Sequence, residues 1–215
     1  MKGYRAILFD LDGTLLDTLA DLEVSVNYML KEMGFPLRGK EEVRSFLGNG
    51  VRHLVASALP EGADEDTIEK GLSLFKSHYA AHSMEKTAPY PGICDVLSEL
   101  RCRGIRMGVV TNKVDAAAQP MIEHYFPGIF DVVLGQREDI PKKPAPDMLF
   151  AALKEIGVPL EYCLYVGDSE VDKSTADAAG MPCVLVAWGY RDREDLALLA
   201  PENLIFQPSA LMACI

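Results

Sequence analysis

Short, nearly continuous apolar runs recur along the chain, and each ends at a polar or acidic stretch. They occupy residues 4–9, 106–110, 162–166 and 183–187. The first three lead into amphipathic stretches of helical periodicity, the first of them after a long intervening segment. Buried strands that alternate with helices are typical of a parallel sheet with both faces covered. The sequence therefore predicts an α/β fold in which helices cover both faces of a Rossmann-like parallel sheet.

Residues 17–84 have a different pattern, which is helical throughout and contains no convincing strand. Helices are predicted over residues 20–33, 41–47, 51–59 and 66–82. The simplest organisation is an all-helical insertion over residues 17–84, inside an α/β core made of residues 1–16 and 85–215. The Pro-rich segment 87–92 is predicted to be the linker that returns to the core.

The residues that could carry chemistry lie where the predicted strands end. Asp10 and Asp12 follow the first apolar run, Thr111 and Asn112 the second, and Asp168 the third. In sheets of this kind, ligands bind beyond the carboxyl ends of the strands. These side chains are therefore expected to meet in one site.

Asp10 and Asp12 should point to the same side of an extended chain, because side chains alternate along a strand. Their charges repel, so a bound cation such as Mg²⁺ is the expected reason for the pairing. One aspartate carboxylate can attack a phosphoryl group while a second carboxyl group transfers protons. Gly13 permits a sharp turn that would bring backbone amides close to a phosphate. The alternative is an ordinary strand followed by an Asp-Gly turn.

Thr111, Asn112 and Lys143 are candidates for binding the phosphate. The Thr111 hydroxyl precedes a predicted helix, where it could bind a phosphate oxygen. Alternatively, Thr111 or Asn112 simply caps that helix. Lys143 has prolines on both sides that restrict the backbone, and its ammonium group could neutralise a phosphate and a nucleophilic carboxylate together. The alternative is a solvated loop lysine.

Asp168 and Asp172 lie where a third strand passes into a helix. Asp168 is a natural oxygen ligand for Mg²⁺ because it comes directly after the strand. Asp172 lies one helical turn later, near the start of the helix. Three roles remain open for Asp172: binding the metal directly or through water, orienting Lys143, or stabilising the helix dipole.

The net charge of −11, from 21 basic and 32 acidic residues, argues against binding to nucleic acid or to a membrane surface. The sequence holds no apolar run of the ~20 residues that a membrane span needs. The first residues lack the apolar segment of a signal peptide, so a cytoplasmic location is expected. The five scattered cysteines are expected to be free thiols. The choice between a monomer and a homodimer remains open.

Together, the four motifs resemble those of the haloacid dehalogenase superfamily of aspartyl-phosphate hydrolases, and the resemblance covers essentially the whole chain. It implies that Asp10 is the nucleophile and Asp12 the general acid and base. It also implies that Thr111 and Lys143 bind phosphate and stabilise the intermediate. Mg²⁺ would be held by the Asp10 carboxylate, the Asp12 backbone carbonyl and Asp168. The helical insertion would be a cap domain.

A finer resemblance is to the phosphoglycolate phosphatase subgroup. It rests on residues 46–51, 89–92, 108–113 and 188–191. It implies that the partner is a small phosphorylated metabolite, with 2-phosphoglycolate as the leading candidate. A phosphosugar phosphatase, an inorganic pyrophosphatase or a phosphomutase would keep the same core motifs. A non-catalytic binding module is disfavoured, because it would have no physical reason to retain two repelling carboxylates.

Four residues of the helical insertion are candidates for substrate binding. Asn49 and Gly50 open a predicted helix, where backbone amides can bind an anion. Arg44 and Arg52 could form paired hydrogen bonds with the carboxylate of phosphoglycolate. The alternative is that both arginines are solvated helix residues.

Overall fold

The structure is a computed structural model that describes residues 3–199 and 203–215. Within these residues the chain divides into two compact units. The first unit holds the described residues up to Leu16 and from Pro89 onward, and the second is Asp17–Ala88. The sequence predicts the second boundary at residue 84, and the structure has it at Ala88. Residues 1–2 and 200–202 of the predicted core lie outside the described residues.

From residue 88 onward, strands and α-helices alternate along the described part of the chain. In chain order the helices and strands are β1 (Ala6–Phe9), β2 (Leu16–Asp17), α1 (Leu19–Glu32), α2 (Lys40–Ser45), α3 (Val51–Ala58), α4 (Glu65–His82), β3 (Ala88–Pro89), α5 (Ile93–Cys102), β4 (Arg106–Val114), α6 (Asp115–Tyr125), β5 (Val132–Gln136), α7 (Asp147–Ile156), β6 (Cys163–Gly167), α8 (Glu170–Ala179), β7 (Cys183–Val186), α9 (Arg193–Leu199) and β8 (Leu204–Ile205).

The first unit is built on a parallel sheet, as the sequence predicts. Among the described residues the sheet has six strands in the order β5-β4-β1-β6-β7-β8. Strand β1 is central and pairs in parallel with β4 and β6. Its side chains alternate between two cores: Ile7 and Phe9 pack with α5 and α6, and Ala6 and Leu8 pack with α7 and α8. Both faces of the sheet are therefore covered, which confirms the predicted fold class.

The edges of the sheet differ from the prediction. Strands β5 and β8 lie at the two ends of the strand order, and the sequence indicated neither. Strand β4 extends to Val114 rather than ending at Val110. Its pairing with β5 shifts in register between Val110 and Val114, so regular pairing stops where the apolar run ends. Thr111 therefore lies in an irregular strand end.

The second unit, all of whose residues are described, contains the four helices α1 to α4. Their bounds differ from the predicted ones by at most two residues. Gly71 of α4 lies so close to its neighbours that an added Cβ would be 3.0 Å from Val55 Cγ1 and 3.2 Å from Met29 Sδ. The absence of a side chain there lets α4 approach α1 and α3. None of the helices in the described part of the chain is long and apolar enough to cross a membrane.

Candidate active site

The carboxyl ends of β4, β1 and β6 lie side by side at one edge of the sheet, because these strands are parallel neighbours. Asp10 follows β1, and Asp168 follows β6. Asp172, in the first turn of α8, and Lys143, in the loop before α7, complete a group in which every member is at most 8% exposed. The structure thus brings these four predicted site residues together.

Lys143 forms ion pairs with two carboxylates. Its Nζ lies 2.8 Å from Asp10 Oδ1 and 2.7 Å from Asp172 Oδ1. Burial lowers the pKa of Lys143, but the two carboxylates outweigh this effect and raise the pKa above its ordinary value. Lys143 is therefore a charged, fixed ammonium group rather than a solvated loop lysine.

Asp172 is surrounded by hydrogen-bond donors. Its Oδ1 accepts bonds from Lys143 Nζ and from Tyr165 Oη at 3.0 Å. Its Oδ2 accepts bonds from the backbone N–H groups of Asp168 and Ser169 and from Ser169 Oγ at 2.7 Å. Burial raises the pKa of Asp172, but Lys143 and the hydrogen bonds hold it below its ordinary value. These contacts use the lone pairs of both oxygens, so they disfavour metal binding and support the other two open roles. Oδ1 orients Lys143, and Oδ2 is part of a capping box at the start of α8.

The surroundings of Asp10 and Asp168 disfavour the ionised forms of these two carboxyl groups. Burial and the Asp172 charge raise the pKa of Asp10 to about 6, against the opposing effect of Lys143. Burial, Asp172 and Asp10 raise the pKa of Asp168 well above its ordinary value, although Asp168 Oδ2 accepts a 2.7 Å bond from the Tyr190 N–H. The negative charges of Asp10 and Asp168 are therefore only partly compensated by neighbouring positive charge.

A divalent cation fits this set of donors. One carboxylate oxygen each of Asp10, Asp168 and Asp172 lies within 4.8 Å of the other two, although the Asp172 oxygens already accept bonds from other donors. Three carboxylates face one ammonium group, and hard oxygen ligands suit Mg²⁺. A cation bound by Asp10 and Asp168 would stabilise the ionised forms that burial disfavours.

Two glycines pack directly against Asp168. A Cβ on Gly13, whose φ is +87°, would lie 2.3 Å from Asp168 Oδ2, and one on Gly189 would lie 2.4 Å from the same oxygen. Gly13 is thus needed for the close approach as well as for its backbone angle. Its N–H donates to the carbonyl of Leu16 at 2.9 Å, so that amide already has an acceptor within the turn. Contact between Gly13 and a substrate stays a prediction.

Asn112 is bound to the backbone of Lys143. Its Nδ2 donates to the Lys143 carbonyl at 3.1 Å, and its Oδ1 accepts from the Lys143 N–H at 2.9 Å. This pair of bonds fastens the lysine loop to β4. The hydroxyl of Thr111 is buried and accepts a 3.2 Å bond from the Lys113 N–H. The predicted contacts of Thr111 and Asn112 with phosphate stay predictions.

Asp12 forms an ion pair that the sequence did not indicate. Lys113 Nζ lies 3.1 Å from both carboxylate oxygens of Asp12. The Lys113 side chain is 5% exposed and that of Asp12 is 23% exposed. The carboxylate predicted to transfer protons is therefore held by its own lysine.

For the four candidates in the second unit, the contacts described below lie within that unit. Arg44 Nε donates to Glu41 at 2.8 Å, and Arg52 forms ion pairs with Glu65 and Glu69. Gly50, with φ +85°, and its neighbour Asn49 immediately precede α3. Their contact with a substrate stays a prediction.

Several further residues complete the site beyond those identified from sequence. They are Lys113, Tyr165, Ser169, Trp188 and Tyr190. Tyr165 could have been noticed as a hydroxyl inside an apolar strand. Lys113 could have been noticed because it lies two residues after Thr111 at the strand end.

The fold and the site define an α/β enzyme with a cluster of carboxylates and a lysine at the ends of parallel strands. Residues 7–186 match the model of the haloacid dehalogenase-like hydrolases. A phosphoglycolate phosphatase from Pseudomonas savastanoi pv. phaseolicola is 38% identical over 207 residues, covering 94% of this chain and 76% of that relative. The chain therefore belongs to the haloacid dehalogenase-like hydrolases and, with such relatives, to the phosphoric monoester hydrolases.

Solved structures agree with this assignment. A Lactobacillus delbrueckii subsp. bulgaricus protein assigned by name to the phosphoglycolate phosphatases superposes with a TM-score of 0.95 at 36% identity, over 100% of this chain and 99% of that one. A variant of CbbY from Rhodobacter sphaeroides, solved with xylulose-(1,5)bisphosphate, superposes with a TM-score of 0.80 at 27% identity, over 97% of this chain and 96% of that one.

Proposed function

We propose that the chain hydrolyses 2-phosphoglycolate to glycolate and phosphate through a covalent aspartyl-phosphate on Asp10. The observation that carries this proposal is the buried Asp10 carboxylate, 2.8 Å from the Lys143 ammonium and next to Asp168. This arrangement supports the predicted roles of the site residues.

In the first step, an Asp10 carboxylate oxygen forms a bond to phosphorus, and the bond from phosphorus to the ester oxygen breaks. Asp12 donates a proton to the departing alcohol oxygen. Lys143 stabilises the charge on the phosphoryl oxygens and on the attacking carboxylate. The Thr111 hydroxyl is the proposed hydrogen-bond donor to a phosphoryl oxygen.

In the second step, a water oxygen forms a bond to phosphorus, and the bond from phosphorus to Asp10 breaks. Asp12, now ionised, accepts the proton of the attacking water. Phosphate leaves, Asp10 is again a carboxylate and Asp12 is again protonated. In this mechanism Asp10 and Asp12, which are two residues apart in the sequence, perform successive tasks.

The Asp10 and Asp168 carboxylates and the Asp12 carbonyl are the proposed Mg²⁺ ligands. When bound, Mg²⁺ supplies positive charge that stabilises the phosphoryl oxygens as negative charge develops on them. Binding the metal is one of the three roles that the sequence leaves open for Asp172, but its oxygens already accept bonds from Lys143, Tyr165 and Ser169. We therefore propose that Asp172 positions Lys143.

The substrate proposal is supported by relatives that are named phosphoglycolate phosphatases. A sugar phosphate is the second candidate, because the similar CbbY variant was solved with a sugar bisphosphate. Arg44, Arg52, Asn49 and Gly50 stay candidates for contact with the substrate. Each arginine would have to exchange a glutamate partner for the substrate carboxylate.

Phosphate release from a panel of esters tests the proposal. The panel contains 2-phosphoglycolate, several sugar phosphates and pyrophosphate, each with Mg²⁺ and with a chelator. We expect Mg²⁺-dependent release that is fastest with 2-phosphoglycolate, and loss of release in Asp10→Asn. Equal release by the wild type and Asp10→Asn would overturn the nucleophile assignment. Faster release from a sugar phosphate would overturn 2-phosphoglycolate as the substrate, and an isomerised sugar product would indicate a phosphomutase.

The cytoplasmic location stays a prediction, and the choice between a monomer and a homodimer stays open. The oligomeric state is measured by light scattering at several protein concentrations.

A further inference from the structure

Lys113 makes a two-point contact with Asp12. Its Nζ is equidistant, at 3.1 Å, from Oδ1 and Oδ2. An ammonium group has three donors, so it can serve both oxygens at once. Since both oxygens are held, rotation of the carboxylate about its Cβ–Cγ bond is restricted.

The lysine itself is held in place from several sides. Its side chain is only 5% exposed, and its backbone N–H donates to Thr111 Oγ1. The next residue, Val114, pairs with Gln136 of β5. The preceding residue, Asn112, is bound to the Lys143 backbone. Lys113 therefore holds Asp12 from a fixed strand end.

We propose that Lys113 is a positioning residue for Asp12. By fixing both oxygens, it keeps the carboxyl group in the orientation from which it gives a proton to the leaving oxygen and later takes one from water. This inference rests on the proposed function, because it assumes that Asp12 transfers those protons. Correct orientation of a reacting group accounts for a large part of catalytic rates.

Two other roles would predict different kinetics. If Lys113 contacted the substrate directly, its removal would act independently of Asp12. If the ion pair served only stability, its removal would lower the unfolding temperature and leave the turnover of the folded enzyme unchanged. Coupling between Lys113 and Asp12 in the chemical step separates these roles from positioning.

The test is a double-mutant cycle with Lys113→Met, Asp12→Asn and the double variant. Rates are measured in single turnover with enzyme in excess, so that slow variants remain measurable. We expect Lys113→Met to lower the rate about 10- to 100-fold, a part of the 10²- to 10⁴-fold that acid–base catalysis contributes. In the Asp12→Asn background, the same change should cost less than about twofold, because the group it positions is gone.

Two further variants complete the test. Lys113→Arg, which can also donate to both oxygens, should keep the rate within about tenfold of the wild type. Lys154→Met, at an exposed position on α7, is the matched control and should leave the rate unchanged. If Lys113→Met does not fold, as judged by thermal unfolding, the cycle is run with Lys113→Gln.

Positioning is overturned if the lysine substitution costs the same factor with and without Asp12, or if it changes KM alone. It is also overturned if the substitution lowers only the unfolding temperature. The Asp10→Asn variant separates the two proposals. If Asp10→Asn turns over normally, the proposed function fails, whereas an inactive Asp10→Asn with an uncoupled cycle means that only the inference about Lys113 fails.

Discussion

Lys143 in the sheet unit and Arg52 in the helical unit are both cations that bridge two carboxylates. Lys143 is 2% exposed and is surrounded by Asp10, Asp172 and Tyr165. Arg52 is 47% exposed, and its two glutamate partners are more exposed still. Water screens the second arrangement but not the first. The same set of contacts therefore has a large energetic effect in one unit and a small one in the other.

Removal of the Lys143 charge should have the largest effect. Lys143→Met leaves Asp10 and Asp172 buried without their cation, and breaking a buried ion pair in this way costs about 3–5 kcal/mol. We expect the free energy of unfolding to fall by that amount and phosphate release to be lost. Urea unfolding and the phosphate assay measure the two effects.

The control for this variant is Lys154→Met on α7, which should change neither quantity. A free energy of unfolding within 1 kcal/mol of the wild type would show that the buried carboxylates do not depend on Lys143.

Mg²⁺ should stabilise the protein in a manner that depends on pH. Because the pKa of Asp10 is raised from 3.8 to about 6, the metal-free folded state binds more protons than the unfolded state within that window. The free energy of unfolding of the metal-free protein should therefore fall as pH rises through the window. The raised pKa of Asp168 contributes a change of the same sign. Mg²⁺ should raise the unfolding temperature more at pH 8 than at pH 5, where protons compete for the carboxylates.

This prediction is checked by thermal unfolding with Mg²⁺ and with a chelator at both pH values. Asp168→Asn is the informative comparison, because it removes a proposed ligand and should abolish most of the Mg²⁺ effect. The same Mg²⁺ effect at both pH values would contradict competition between protons and metal.

Loss of the Tyr165 hydroxyl should have an intermediate effect. In Tyr165→Phe, Lys143 Nζ loses a 3.0 Å acceptor and Asp172 loses a donor. We expect a loss of about 1–2 kcal/mol in the free energy of unfolding, as for other buried hydrogen bonds, and slower turnover through a less firmly placed lysine.

Tyr162→Phe provides the matched control, because Tyr162 is 42% exposed just before β6. If both tyrosine variants had the same stability and activity, the Tyr165 hydroxyl would have no role in holding Lys143.

The smallest effect on stability should follow Arg52→Gln. Exposed ion pairs contribute little, so the unfolding midpoint should not change measurably. The KM value tests the predicted substrate contact instead. If Arg52→Gln raises the KM for 2-phosphoglycolate but not the KM for an ester without a carboxylate, the contact is supported. If the variant and the wild type have equal KM values for both esters, Arg52 is a solvated helix residue.

The structure differs from the sequence prediction mainly at the periphery. The central strand β1 is a fully buried apolar run, so its sequence pattern is strong. Strand β5 is only partly buried, and β8 has two residues, so neither has an apolar run that stands out. Weak burial at the edge of a sheet means weak selection for a periodic pattern.

In the site, the sequence identified which residues take part but not which partners they bind. Asp10, Lys143 and Asp168 were identifiable because charged residues beside apolar runs or between prolines are conspicuous. The hydrogen bonds of Asn112 to the Lys143 backbone could not be identified from sequence, because they join residues 31 positions apart. A capping or phosphate-binding role was the natural reading of that amide from its local surroundings.

The sequence by itself determined the alternation of the central buried strands with helices and most members of the site. It could do so because a buried parallel strand requires a continuous apolar run, and polar residues at its end are conspicuous. Only the tertiary structure decided which donor serves which carboxylate. Asp12 and Lys113 are 101 residues apart and meet because β1 and β4 are neighbours in the sheet. Periodicity describes the environment of a residue, whereas its hydrogen-bond partner depends on the packing of distant segments.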